Sequence, residues 1–509
     1  MKINLKKWQI ILLAITLFFA FFLVYKPHLD YPYPFHVDEW HHISEAIRLG
    51  NYGEYFESLR MIEGTRFNGI EIGFHFLLFL LSFFFDLVLI YKFLPAIWVC
   101  VSVVTLFYVV YKKSDRNFIL AWLATVFFIS IKSNVNVLGL WFFTPLTFVI
   151  PFIFLYVYYF SEAIEKQSKK FIIIGSAVMA LVIPLHALSV LFFLPALLIY
   201  LRINIRYVVK EWKFFSLFLL VPILGVLFYK YTLAIPWPQL LGHMWEHLQF
   251  KFGWGVLEVK NSLIEVYSWI GYILAAVGVL FIILDRHAKK YALYLLWPAT
   301  TFLLIIIYRL TGISYLSPYQ RNLYYFAISL PILSALGLFG ILEIIKSQLN
   351  NLKFGFESSM VYGQKFIYGA IIFLVFALTF SSYYIIPKQL DLYRVIDNDD
   401  YEALAFLAKL PKDGVVAALP LVSSAIYPIS GHEPLASVAF YGDDLKRQQL
   451  YSFFANTDYE SLNNGEFNAV RAYEMATIDY NIEYVLSKTP LNYDWPLIYQ
   501  KNNYIYKIR

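Results

Sequence analysis

Residues 8–25 read WQIILLAITLFFAFFLVY, a run without a charged side chain that follows Lys2, Lys6 and Lys7. Such a run is long enough to cross the hydrocarbon core of a bilayer, which takes about 20 apolar residues in a helix. It ends on aromatic and branched residues rather than on the small residues of a signal-peptidase site. We therefore expect an uncleaved membrane anchor with its N-terminus in the cytoplasm.

The composition of the 509 residues extends this conclusion to most of the chain. Hydrophobic residues make up 60% and charged residues 15%, whereas a soluble domain carries about 25% charged residues. An apolar excess of this size needs lipid around it, so the chain is expected to be a polytopic α-helical membrane protein. The single cysteine, Cys100, excludes a disulfide within the chain, and no basic patch suits nucleic acid.

Eleven further apolar runs follow the first one. They lie at residues 72–90, 92–111, 118–133, 140–160, 171–184, 187–201, 214–232, 263–284, 291–309, 322–344 and 366–386. If the run at 72–90 does not cross, every basic cluster between the runs falls on the cytoplasmic side, as the positive-inside rule requires. That run also contains His75 and Asp86. We therefore expect eleven membrane-spanning helices and a re-entrant or membrane-surface helix at 72–90.

This topology places the N-terminus inside, the C-terminus outside and any chemistry on the outer face. The outer segments are a first loop at about 26–91, short loops at 132–140 and 310–321, a turn at His186, a loop at 233–262 and the C-terminal segment. The inner loops are short and basic and contain neither GxxxxGK[ST] nor GxGxxG. We expect a transmembrane catalytic domain at 1–386 and a small extracytoplasmic α/β domain at 387–509.

Within residues 387–509 the pattern predicts short alternating elements. Helices are expected at 399–410 and 444–454, and buried strands at 415–419 and 483–486. Two further strands at 497–500 and 504–508 flank Lys501-Asn502-Asn503 and predict a hairpin.

The first outer loop contains the most informative stretch, PFHVDEWHHISEAIR at residues 34–48. Trp40, Ile43 and Ile47 recur at helical spacing, which predicts an amphipathic helix at 39–49 with Asp38 and Glu39 at its start. Two interpretations of these carboxylates stay open on spacing alone. Asp is a favoured helix N-cap and Glu in the first turn complements the helix dipole, or the pair is catalytic.

Histidines crowd the same turn: three of the ten in the chain lie within seven positions. We interpret His36, His41 and His42, together with Arg66 further along the loop, as substrate-binding residues. A metal bound by histidines and carboxylates is the less favoured alternative, because no HExxH or comparable spacing accompanies them.

An Asp-Glu pair just after the first span, followed by an amphipathic helix, a non-crossing helix and many spans, resembles the C-type glycosyltransferases. These include protein O-mannosyltransferases, aminoarabinose transferases of lipid A, arabinosyltransferases and oligosaccharyltransferases. Asp38-Glu39 with His41 or His42 behind it is similar to the Asp-Glu-x-x-His pattern of the O-mannosyltransferases. The resemblance implies inverting transfer of a sugar from a polyprenyl-phosphate carrier to an acceptor, with Asp38 as general base and Glu39 as its positioning or acceptor-binding neighbour.

The same resemblance implies cations for the phosphate of the carrier. Arg321 is the favoured candidate, and Arg309 and Lys230 also lie at the outer ends of predicted spans. His186 resembles a polar substrate-binding residue found at the corresponding hairpin. The alternative for the arginines is snorkelling to lipid headgroups, and for His186 a satisfied turn histidine.

Two departures from the family pattern narrow the expected reaction. The loop at 133–137 lacks the second acidic pair of oligosaccharyltransferases, and no Trp-Trp-Asp motif occurs. We therefore expect a single-sugar donor and no obligatory divalent cation, although one is possible. The acceptor, whether protein, lipid or glycan, is not specified. The alternatives are an O-antigen-ligase or polymerase type of carrier-linked transferase and a transporter or flippase for lipid-linked glycans.

Overall fold

The computed structural model describes residues 5–50, 71–134, 136–232, 236–250, 261–284, 288–351, 357–381, 394–437, 450, 453–454 and 481–508. The chain divides into two compact units. The first comprises Met1–Lys26 and Phe93–Ile386, and the second comprises Pro27–Lys92 and Pro387–Arg509. The predicted boundary at residue 387 recurs here, and the first loop groups with the C-terminal segment. The functional division at that boundary stays a prediction.

The described chain is mostly helical. In chain order its first helices are α1 (Lys7–Tyr25), α2 (Val37–Arg48), α3 (Ile72–Ser82), α4 (Leu87–Ile90), α5 (Leu94–Lys113), α6 (Phe118–Ile129), α7 (Pro145–Phe148), α8 (Ile150–Glu165), α9 (Lys169–His186) and α10 (Leu188–Leu191). The later helices are α11 (Leu194–Ile203), α12 (Ile205–Lys210), α13 (Trp212–Thr232), α14 (Trp237–Leu248), α15 (Trp269–Leu284), α16 (Ala288–Thr311), α17 (Tyr319–Asn351), α18 (Glu357–Ser381), α19 (Asn398–Leu407), α20 (Pro420–Ser423) and α21 (Ile426–Ser430).

Among the described residues, 5 helical segments are long and apolar enough to cross a membrane. They are Lys7–His28, Leu87–Lys113, Lys169–His186, Lys289–Thr311 and Tyr319–Gln348. Shorter apolar helices lie at Ile72–Ser82, Phe118–Ile129, Leu188–Ile203, Trp212–Leu227, Trp269–Leu284 and Phe366–Ser381. The predicted apolar runs therefore coincide with helices, while the number of eleven spans and their orientation stay predictions.

The apolar run at 72–90 forms two helices rather than one. Helix α3 has 11 residues, which at 1.5 Å per residue gives about 16 Å, roughly half the thickness of a bilayer core. It ends before Asp86, whose Oδ1 accepts a hydrogen bond from the Leu89 N–H at 3.2 Å and caps α4. The second half of the run belongs to the candidate span Leu87–Lys113. A break at this point is compatible with the predicted non-crossing helix.

In the first unit, α15 and α17 cross at glycines. A Cβ added to Gly278 would collide with the Leu333 carbonyl oxygen, and one added to Gly337 would collide with that of Leu274. Small residues at such a crossing allow the two backbones to approach closely and to gain van der Waals contacts. These contacts matter in a bilayer because lipid tails are as apolar as the side chains, so the hydrophobic effect does not drive helices together there.

The first unit contains two short strands, β1 (Gln249–Phe250) and β2 (Ser314–Tyr315). The C-terminal segment contains a mixed sheet of four strands, β3 (Val415–Ala417), β4 (Ile482–Ser487), β5 (Leu497–Gln500) and β6 (Tyr504–Lys507). The order is β3-β4-β6-β5, with β3 parallel to β4 and the other pairs antiparallel. The predicted helix at 399–410, both buried strands and the hairpin are confirmed. The helix predicted at 444–454 lies largely outside the described residues.

Within the second unit, contacts join the first loop to the C-terminal segment. The Tyr33 hydroxyl donates to Asn398 Oδ1 at 3.0 Å, and the Tyr31 hydroxyl accepts from the Ile396 N–H at 3.3 Å. Arg48, at the end of α2, donates to Glu433 Oε2 at 2.6 Å. These contacts join the segment before α2 to the residues that precede β3, and the end of α2 to Glu433, which lies between β3 and β4.

Candidate functional site

Helix α2 begins with a cap made by His36 and Glu39. Nδ1 of His36 accepts a hydrogen bond from the Asp38 N–H at 3.1 Å. In return, Oε2 of Glu39 accepts from the N–H groups of Phe35 and His36, at 2.8 and 3.1 Å. Both ends of this capping box satisfy amides that a helix N-terminus leaves unpaired. The helix therefore starts at Val37, two residues before the predicted start, and the interpretation of Asp38 as its N-cap is wrong.

The two adjacent carboxylates have different surroundings. The side chain of Asp38 is 36% exposed, and its Oδ1 lies 3.6 Å from Nδ1 of His36. Glu39 is completely buried. Asp38 lies in the first turn of α2, where an acidic side chain complements the positive end of the helix dipole. A carboxylate that solvent can reach is placed to take a proton from an approaching hydroxyl.

Glu39 is expected to stabilise the start of α2 through these two hydrogen bonds. Replacing it by Ala leaves two backbone N–H groups without their carboxylate, which should lower the free energy of unfolding by about 1–3 kcal/mol. Glu39→Gln keeps an oxygen acceptor and should lose less than half as much. The measurement is the thermal midpoint of both purified variants in lipid nanodiscs. Equal midpoints for Glu39→Ala and wild type would contradict this role.

His42 lies in α2, whereas Glu71 and His75 lie at the start of α3. The three side chains nevertheless form one cluster. Nδ1 of His42 is 3.1 Å from Nε2 of His75 and 3.8 Å from Oε2 of Glu71. One ligand atom from each residue lies within 4.8 Å of the others. Both histidines are buried. Burial, with a smaller contribution from His41, lowers the pKa of His75 well below its usual value.

In the sequence alone, His75 argues only against a membrane span and Glu71 has no assigned role. The available signal was their spacing, because a Glu and a His four residues apart at the start of a helix share one face. Of the other predicted binding residues, His36 is the cap residue, and the ring of His41 lies 6.3 Å from that of His75. Arg66 lies outside the described residues.

In the first unit, Arg309 ties a loop to a helix start. Its Nη2 donates to the Asn261 carbonyl oxygen at 2.8 Å, and its Nε donates to the Tyr319 hydroxyl at 3.0 Å. Tyr319 also donates to the same Asn261 oxygen, at 2.9 Å. These bonds give Arg309 a structural function in addition to the predicted binding of phosphate.

The other two predicted phosphate ligands have different contacts. Arg321 donates through Nη1 to the Val137 carbonyl oxygen at 3.2 Å. Lys230 lies over the rings of Tyr231 and Trp237, with its Nζ 4.5 and 5.1 Å from the ring centroids. A lysine between aromatic rings is also typical of a membrane interface.

His186 belongs to a buried hydrogen-bond network. Its Nδ1 is 2.7 Å from Oγ of Ser189, which in turn is 2.9 Å from the Tyr325 hydroxyl. Tyr156 donates to the Ser189 carbonyl oxygen at 2.8 Å. The predicted turn is confirmed, since α9 ends at His186 and α10 begins at Leu188. The network supports the alternative of a satisfied turn histidine.

Lys132 is a further basic residue of these loops, and its side chain is buried. Its Nζ donates to the Ile264 carbonyl oxygen at 2.8 Å. Burial lowers the pKa of Lys132, and the nearby Glu265 partly opposes that shift. Together with Arg309 and Arg321 it connects the loops at 132–140, 261–268 and 309–321. A lone lysine near the end of the apolar run at 118–133 was the available signal.

Comparison with solved structures identifies the fold, although no family model and no curated protein matches the sequence. The archaeal oligosaccharyltransferase AglB from Archaeoglobus fulgidus, in complex with an inhibitory peptide and a dolichol-phosphate, superposes with a TM-score of 0.58. The identity is 13%, over 95% of this chain and 69% of AglB. ArnT from Cupriavidus metallidurans, bound to undecaprenyl phosphate, superposes with a TM-score of 0.53 and 11% identity, over 98% of this chain and 97% of ArnT.

The chain has the fold of the C-type glycosyltransferases. The fold implied by the Asp-Glu motif and its place after the first apolar helix is thereby confirmed. The likeness to ArnT spans nearly the whole of both chains, including the C-terminal segment. At this level of identity it establishes the architecture, and the residues must carry the argument for the reaction.

Proposed function

We propose that the protein is an inverting glycosyltransferase that moves a single sugar from a polyprenyl-phosphate carrier to an acceptor on the extracytoplasmic face of the membrane. Asp38 acts as the general base. The observation that carries this proposal is the partly exposed carboxylate of Asp38 in the first turn of α2, next to Glu39, whose own carboxylate is engaged in the helix cap. The C-type glycosyltransferase fold supplies the context.

The chemistry requires one base and one group of cations. An acceptor hydroxyl that attacks the anomeric carbon must lose its proton as the new bond forms, and a positioned carboxylate takes it. The departing polyprenyl phosphate is already an anion and needs only cationic stabilisation. Arg321 is the proposed ligand, with Arg309 and Lys230 as further candidates. His36, His41, His42, Arg66 and His186 remain proposed contacts of the substrates.

Two observations support the nature of the donor. Solved neighbours of the same fold were obtained with dolichol-phosphate and with undecaprenyl phosphate. The loop at 133–137 contains no carboxylates, which distinguishes the chain from enzymes that transfer a preassembled oligosaccharide. A single-sugar polyprenyl phosphate therefore fits best. The extracytoplasmic position of the site follows from the positive-inside rule.

The test is turnover with defined donors. Purified wild-type protein in lipid nanodiscs is incubated with a panel of labelled polyprenyl-phosphate sugars and with peptide, lipid and glycan acceptors. Transfer of label, or release of free polyprenyl phosphate, that depends on one donor is the expected result. Absence of turnover with every donor and acceptor by a folded protein would contradict the proposal. Flipping of the same lipids across vesicles, without transfer, would favour the transporter.

A further inference from the structure

We infer that His42, Glu71 and His75 bind a divalent transition-metal ion of the zinc class. The two imidazoles and the carboxylate come from two helices of the first loop, and their ligand atoms lie within 4.8 Å of one another. The inference stands on this geometry and on the chemistry of the three side chains. It does not depend on the proposed transferase reaction.

The separations fit a shared ion. Zinc binds imidazole nitrogen and carboxylate oxygen at about 2.0–2.2 Å, so ligand atoms on neighbouring corners of a tetrahedron lie roughly 3.3 Å apart. The observed separations from Nδ1 of His42 are 3.1 Å to His75 and 3.8 Å to Glu71. The longer separation exceeds a hydrogen bond but suits two ligands of one ion after a small adjustment.

The ligand set selects the class of metal. Two imidazoles with one carboxylate suit zinc and its first-row neighbours, whereas calcium and magnesium prefer oxygen ligands alone. Glu71 supplies the negative charge, and its side chain is 24% exposed, so one side of the cluster is reachable from solvent.

The supporting elements are regular. His42 lies in the second turn of α2, while Glu71 is the residue before α3 and His75 lies in its first turn. A bound ion would therefore join α2 to α3. Among the described residues the cluster offers three protein ligands, and zinc sites with three protein ligands keep a fourth position for an exogenous oxygen.

That fourth position connects the ion to the proposed function. His42 follows Asp38 by four residues, so the two side chains leave α2 on the same face, with Cβ atoms about 5–6 Å apart. An oxygen of the substrate held by the ion would then lie near the proposed base. This consequence rests on the proposed function, whereas metal binding itself does not.

The test measures metal without substrate. Protein purified through a tag that lacks histidine is stripped with a chelator and titrated with Co²⁺ in nanodiscs. One equivalent should bind and give the visible absorption of a four-coordinate site, and Zn²⁺ should displace it. His42→Gln, His75→Gln and Glu71→Gln should each weaken binding at least 10-fold. His41→Gln, the same substitution one position along α2, should keep wild-type binding.

A second measurement guards against misfolded variants. Zn²⁺ should raise the thermal midpoint of wild type and of His41→Gln, and should leave that of Glu71→Gln nearly unchanged. The inference is overturned if wild type binds no stoichiometric metal, if the three ligand variants bind as wild type does, or if His41→Gln loses as much affinity as they do. Because no donor is present, this result is independent of whether transfer is observed.

Discussion

Asp38→Asn is expected to abolish sugar transfer while expression and folding remain as in wild type. Asn has nearly the same shape but cannot accept the proton of the attacking hydroxyl, and a general base contributes about 10²–10⁴-fold to a rate. The cap of α2 uses the backbone N–H of residue 38, not its side chain, so Asn leaves the cap intact. The measurement is the initial rate of label transfer with the preferred donor.

A matched control distinguishes the loss of the general base from the loss of any one negative charge in the first loop. Asp30 lies in the same loop, is exposed, and forms an ion pair with Arg394 at 3.0 Å. Asp30→Asn should therefore transfer sugar at the wild-type rate. If Asp38→Asn also does so, with the same donor and acceptor, then Asp38 is not the base, although the enzyme class would stand.

Arg48→Met is expected to cause the largest loss of stability, about 3 kcal/mol. The Arg48 side chain is 8% exposed and contacts Glu45, Glu433 and the face of the Tyr427 ring, at 3.9, 2.6 and 4.0 Å. Glu45 is only 1% exposed, so removing this counter-charge leaves a carboxylate deep in the second unit. Met preserves most of the apolar stem, which makes the lost charge the main change. The measurement is the thermal midpoint in nanodiscs.

Two further variants test the cause. The side chain of Glu433 is 50% exposed, and an ion pair with a solvent-exposed partner contributes little to stability. Glu433→Gln should therefore lower the free energy of unfolding by less than about 1 kcal/mol. Glu45→Gln combined with Arg48→Met should recover part of the loss, because the buried charge of Glu45 is then removed together with the counter-charge of Arg48. A double variant as unstable as Arg48→Met alone would contradict the argument, as would an unchanged midpoint in the single variant.

The sequence alone determined the elements whose cause is local. A run of apolar residues in a chain that needs lipid forms a helix wherever it occurs, so the predicted runs coincide with helices. The hairpin at the C-terminus was predictable because Lys501-Asn502-Asn503 joins two short alternating strands. The Asp38-Glu39 pair after the first apolar helix, taken together with the amphipathic helix, the non-crossing helix and the many apolar runs, indicated the fold by resemblance to a family.

Tertiary structure decided which side chains meet. The cap of α2 depends on His36, which is not a common N-cap residue, and only its orientation shows that Asp38 is not the cap. His42 meets His75 across 33 positions, Lys132 meets the Ile264 carbonyl across 132, and Arg48 meets Glu433 across 385. Helical and strand periodicity describe neighbours within a few residues, whereas such contacts depend on how whole helices pack. The candidate metal ligands and the buried ion pairs of α2 therefore became visible only in the folded chain.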